Sequence, residues 1–180
     1  ILSMCLEGGV AIYQSKVAPI WGDNVQTWNH SVWYRASRNI KQLIADGHDP
    51  MKIMVDRAHE KGIWFIASSW VNFIGVDRQE WGGRGRHTDW VYAHTDYEVG
   101  PEESPHAAQV DPRRFSFLHE DVRQMRFVVY EEMLSRYETD GIQLDLSTFI
   151  PFCRFDEVNE LAPILTQWIR DLRNVANKAG

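Results

Sequence analysis

Residues 139–149, TDGIQLDLSTF, decide the fold class. Asp140-Gly141 is a turn pair, and Ile142, Leu144 and Leu146 then alternate with Gln143 and Asp145 at the period of a strand. Long helical patterns stand on either side. The strand therefore belongs to a β/α unit, where strands run parallel and are covered on both faces. One face is apolar. The other carries an amide and a carboxylate, and a buried carboxylate is unfavourable unless it is paired or used. Asp145 ends its strand, and parallel β/α sheets place their chemistry at the C-terminal ends of the strands. Two roles are open to it from position alone: a reacting carboxylate, or the cap of a turn.

Upstream, the pattern repeats in the same order. Helix signals run over His48–Gly62: Asp49 can cap the first turn, Pro50 suits it, and Gly62 suits the left-handed position after the last one. Met51, Met54, Val55 and Ala58 form the apolar stripe. Ile63–Asn72, IWFIASSWVN, follows as a strand, apolar until Ser68 and then polar at its end, with Ser69, Trp70 and Asn72 together. Leu118–Tyr137 reads as a long helix with Val122, Met125, Val129 and Met133 on one stripe. Glu120, Asp121, Glu131 and Glu132 are expected to be solvated charges on it. Asp156–Ala179 is the last helix, with Leu161, Leu165, Trp168, Leu172 and Val175 inward and Pro163 near its start. At the other end, Val32–Ala45 is a helix stopped by Asp46-Gly47. The runs Ile1–Leu6 and Val10–Tyr13 supply one or two strands. Residues 73–110 are a long loop broken by glycines and prolines. Its Trp81, Trp90, Tyr92 and Tyr97 predict that it packs onto the strand ends.

The chain has 180 residues, 44% hydrophobic and 24% charged, the makeup of one domain with a sizeable core. A net charge of -6 argues against a nucleic-acid partner. No apolar run reaches the roughly 18 residues of a membrane span. Cys5 and Cys153 make neither a disulfide framework nor a zinc cluster and leave the compartment undecided; a secreted or periplasmic site fits if a leader was removed. The chain opens on ILSMCLEGG without an initiator Met, and it reads as a piece of something longer. About four strand signals are present, against the eight of a closed barrel. The expectation is a single partial (β/α)8 barrel domain over residues 1–180, with the rest of the barrel supplied by the parent chain.

HEKGIWFIASSWVN, through His59, Gly62, Ile63, Trp70 and Asn72, resembles the third-strand region of (β/α)8 glycosidase-like proteins, where "AHKRGI" leads into a strand ending in Trp and Asn. Asp111-Pro112, the helix after it and YETDGIQLD at 137–145 resemble the next unit, where "YDVDGIHLD" is typical. The likeness, over about residues 50–180, is to glycosyl-hydrolase-like family ten, with the alpha-amylase-like clan behind it. In that clan an Arg stands two residues before the catalytic Asp; here the position is Gln143. The resemblance implies a barrel fold and action on O-glycosidic bonds.

Glycoside hydrolysis normally needs two carboxyl groups flanking the bond. Asp145 would be one, as nucleophile or base. The acids Glu80, Glu98, Glu102 and Glu103 all lie in the long loop, and none follows a strand, so half of the pair is expected to lie elsewhere. Trp70 and Trp81 could stack on a sugar ring. Asn72 and Gln143 could bond hydroxyls, and Arg154 could bind a carboxylate or hold Asp145. Packing and surface pairing are the plain alternatives for each. No cofactor is implied. The repeated His87-Thr88-Asp89 and His94-Thr95-Asp96, with His106 nearby, carry a different reading, a metal-dependent ester or amide hydrolase. A third is a non-catalytic carbohydrate-binding barrel in which Asp145 only orients a loop.

Overall fold

Asp49 and Pro50 start a helix where the sequence places one. The Asp49 carboxylate accepts the Met51 N–H, and helix α2 runs Pro50–Glu60 after an earlier α1, Ser31–Ala45. Gly62, at φ +65°, turns the chain out of α2, and Ile63 donates its N–H back to the Ala58 carbonyl. Ile63 and Trp64 are therefore part of the helix exit, exposed, and not the first strand residues expected from their hydrophobicity. The strand β2 is Phe65–Trp70, shorter than predicted at both ends. The structure, a computed structural model, describes residues 2–6 (backbone), 9–73, 85–103 and 111–179.

Three strands form a parallel sheet in the order β1 (Leu2–Leu6), β2, β3 (Gly141–Asp145). The protein is thus a mixed α/β fold. The run Val10–Tyr13 is not a second strand: Ala11 makes one isolated bridge to Ile20, and Tyr13 is buried in the core. In β2, Phe65, Ala67 and Ser69 are fully buried on one face. Their β3 neighbours Ile142 and Leu144 pack toward the same core. The opposite face carries Ile66, Ser68 and Trp70 beside Gly141, Gln143 and Asp145. Strand β3 is less buried than a doubly covered strand. Gln143 is exposed and Leu146 lies beyond the strand, because among the described residues no strand pairs with the outer edge of β3.

Within 73–110 the described residues are not all loop. Thr88 caps a five-residue helix α3, Asp89–Ala93, and a 3-10 turn follows at Thr95–Tyr97. Then come α4 (Glu120–Arg136), a 3-10 turn at Phe155–Glu157, and α5 (Val158–Ala179), with Pro163 in its second turn. Trp168 of α5 locks onto α4: its indole donates to the Arg123 carbonyl, and its ring meets Phe127 and Tyr130 edge-on.

Glu132 departs most from expectation. It is 5% exposed, not a solvated charge. Its Oε1 accepts from the Lys16 N–H and Arg136, its Oε2 from Tyr13 and Ser15. The carboxylate thereby ties the 13–18 segment to α4. Burial pushes Glu132 toward its neutral form, but the bonds from Ser15, Lys16 and Arg136 outweigh it and hold the group below the usual carboxylate range. Tyr13 is pushed far above its usual range by burial and by that carboxylate.

Candidate functional site

Parallel pairing puts Trp70 and Asp145 side by side at the C-terminal ends of β2 and β3. The Val71 N–H bonds the Asp145 carbonyl, so the two strand ends separate only after this row. Asp145 is the one acidic residue within the three strands. Its Oδ1 accepts from the Ser147 N–H at 2.9 Å, the Ser147 hydroxyl at 2.8 Å and the Thr148 N–H at 3.0 Å; its Oδ2 accepts from the Thr148 hydroxyl at 2.8 Å. These bonds, from Thr148 first and Ser147 next, hold the carboxyl below its ordinary range. The group is partly exposed and ionised at neutral pH, the state a nucleophile or base needs and a general acid does not.

The loop after Asp145 is built around Phe149. This residue sits at φ 60°, in the left-handed region a bulky side chain avoids at a penalty of roughly 1–3 kcal/mol. Its ring is gripped on two sides. Trp70 meets it edge-on at 4.6 Å, and the Arg114 guanidinium lies 4.7 Å from its centroid. Arg114 in turn bonds the Phe73 carbonyl and lies 3.8 Å from Asp111. Burial lowers its pKa, with Asp111 opposing.

Asn72 is 1% exposed. Its amide nitrogen donates to the carbonyls of Phe115 and Pro151, and its oxygen accepts the Phe73 N–H. It cannot reach a ligand as it stands; it ties the end of β2 to the far side of the Phe149 loop. Gln143 lies on the Asp145 face and is exposed. Arg154 does not hold Asp145. It reaches Asp156 at 3.9 Å on the surface, the plain alternative in its case. Trp81 and Glu80 lie outside the described residues. Glu102 accepts the Phe155 N–H, and Glu103 is exposed. Of the other loop aromatics, Trp90 packs on Phe73 and Phe115 beside the end of β2, and Tyr97 stacks on His119.

The two HTD triplets do other work. Thr88 caps α3, Asp89 accepts from Asn24, His87 is buried against Tyr92, and His94 stacks on Trp90 with a ring nitrogen 2.7 Å from the Trp90 carbonyl. Among the described residues no three His, Cys, Asp or Glu side chains gather as metal ligands, and His106 lies outside them. Among these residues, too, no helix is long and apolar enough to cross a membrane.

One residue under the site went unrecognised in the sequence. Arg126 of α4 is 1% exposed and reaches beneath the end of β2. It donates to the Ser69 hydroxyl and to the carbonyls of Trp70 and Val71, while Tyr130 donates to the Ser69 carbonyl. Its ring neighbours are Phe73 and Tyr130. A signal for it existed: Arg126 interrupts the apolar stripe of Val122, Val129 and Met133.

No curated protein matches the chain. The family model described as Glycosyl hydrolase-like 10 matches residues 4–153, which includes the last three residues of β1, all of β2 and β3, and Trp70, Asn72 and Asp145. With that match spanning most of its length, the chain belongs to the glycosyl hydrolase-like 10 family.

Proposed function

We propose that this chain is part of a (β/α)8 glycoside hydrolase in which Asp145 attacks, or activates water toward, the anomeric carbon of a sugar. The observation that carries the reading is the ionised Asp145 beside Trp70 at the strand ends, on the face opposite Phe65, Ala67 and Ser69. In a barrel that face is the interior rim. Asp145 there stabilises positive charge developing at the sugar, Trp70 offers its indole as a stacking wall, and Gln143 offers an amide to a hydroxyl. Phe149 extends the wall. Asn72 and Arg126 act as positioning residues. The partner acid comes from outside the three strands described. The outer edge of β3, beside an open groove lined by Ile142, Leu144, Ile169 and Leu172, supports the docking of a further β/α unit from the parent chain.

The test is Asp145→Asn in the full-length protein. The amide oxygen keeps the two N–H bonds from Ser147 and Thr148, and the Thr148 hydroxyl can rotate to accept from the new amide. Stability should change by about 1 kcal/mol or less, while turnover of a glycoside falls roughly 10²-fold or more. A second reading has its own support: four hydrogen bonds to Ser147 and Thr148 are what a turn-holding Asp in a non-catalytic binding barrel would make. Under it, Asp145→Asn leaves any turnover per folded molecule untouched, and that result would falsify the catalytic role.

A further inference from the structure

The connection from β1 to α1 leaves the same end of the sheet as Trp70 and Asp145, since the three strands are parallel. It then folds along the flank of α1. Tyr34, Arg38 and Lys41 lie on one side of that helix at the i, i+4, i+7 spacing. Trp28 lies against Tyr34, ring centroids 6.2 Å apart at 65°. Gly22 makes the closure feasible. It sits at φ +78°, and a Cβ there would come within 2.5 Å of the Trp28 ring and 2.6 Å of the Ser37 hydroxyl. The result is an open pocket of about 380 Å³. That is within the range of small-molecule sites, roughly 300–1,000 Å³. None of its lining residues belongs to the strand-end cluster.

The lining chemistry is specific. Trp28 and Tyr34 supply ring surface. Lys41 is held in place, bonding the Gly22 carbonyl at 2.9 Å and Asp23 at 3.2 Å, so its charge is already answered. Gln42 is engaged with Asp46. Arg38 is exposed at the rim, and no described residue pairs with it. The pocket therefore joins aromatic walls to one uncommitted guanidinium, a planar fork that matches a carboxylate.

We propose that this pocket is an ancillary binding site for an anionic sugar unit, a uronate carboxylate meeting Arg38 while the ring lies against Trp28 and Tyr34. The site rests on the carbohydrate reading above, which it deepens by naming the charge of the glycan. Rings alone would take neutral sugars equally. The guanidinium selects for charge.

The experiment is calorimetric titration of the full-length protein with a galacturonate tetramer and with a neutral glucose tetramer of the same length. Wild type should bind the acidic probe better, and less so at high salt. Arg38→Gln, a surface change that leaves the fold alone, should weaken the acidic probe roughly tenfold and leave the neutral one unaltered. Trp28→Ala should weaken both, provided circular dichroism shows the fold retained. Acidic-probe affinity unchanged by Arg38→Gln, or equal affinity for the two probes in wild type, overturns the proposal. Binding is read at equilibrium, so it stands apart from catalysis. Asp145→Asn should leave it intact. Turnover without acidic-probe binding sinks this site alone, and binding without turnover sinks the hydrolase reading alone.

Discussion

Removing the Glu132 side chain should unlatch the segment that follows β1. In Glu132→Ala the Lys16 N–H and the hydroxyls of Tyr13 and Ser15 lose their acceptor, and Arg136 loses a buried partner. The Ser15 oxygen already accepts from the Val17 and Ala18 N–H groups, so it offers no replacement acceptor to Tyr13 or Lys16. Breaking a fully buried ion pair on one side costs about 3–5 kcal/mol, but Arg136 is partly exposed and keeps the Gln14 carbonyl, so the loss here falls at the low end, about 3 kcal/mol. For a chain of this size that corresponds to a fall in Tm of roughly 6–12 °C. Glu132→Gln should be milder, about 1–3 kcal/mol. The amide oxygen would turn toward Lys16 and Arg136, which can only donate. Its NH2 would then face Tyr13, which can rotate to accept, and Ser15, which cannot. The sign with pH follows from the lowered pKa of Glu132. Its stabilisation is fully present above the unfolded-state pKa, near 4.3, and is lost as pH falls through the lower folded value. Urea unfolding followed by circular dichroism at pH 7 and at progressively lower pH gives both quantities. A loss under about 1 kcal/mol for the Ala variant, or a gap to wild type that does not narrow in acid, would refute the reasoning.

Asn72→Ala leaves the Phe115 and Pro151 carbonyls without their donor and should cost about 1–3 kcal/mol in denaturant unfolding. It should also lower kcat by loosening the Phe149 loop; normal turnover in a destabilised protein would remove Asn72 from the positioning set. Asp140 accepts the Phe65 N–H and the His59 ring at the base of β2, and these two bonds, in that order, lower its pKa. Asp140→Asn should therefore melt earlier than wild type at pH 6, and the two should converge as pH drops below about 4; parallel melting curves across that range would contradict it.

Much of the scaffold was legible because its signals are local. Asp49-Pro50 and Gly62 bound α2 by rules that need no tertiary knowledge, and the alternation at 142–146 identified a strand and the face of Asp145, one residue later than β3 itself. What stayed hidden depends on neighbours distant in sequence. Glu132 reads as a surface acid until Tyr13 and Ser15, over a hundred residues away, are brought to it. The hydrophobicity of Ile63 and Trp64 suggested strand, but the exit from α2 claims them. Asp145 was correctly placed at a strand end. Its partners are Ser147 and Thr148, adjacent in sequence, and not the more distant Arg154. Phe149 had no signal, since only a folded loop forces a phenylalanine to a positive φ.

Arg126 carries an implication for how such a site tolerates change. The carbonyls of Trp70 and Val71 hang from a guanidinium rooted in α4, and α4 is wedged in turn by Trp168 of α5. The height at which the indole stands above the sheet is thus dictated from behind, by the two helices packed under the strand ends. Lengthening or exchanging the surface loops leaves that datum untouched, so the mouth can be re-lined without disturbing its floor. Conversely, a small shift of α5 against α4 moves the floor itself, and a change remote from the strand ends would alter the whole mouth at once.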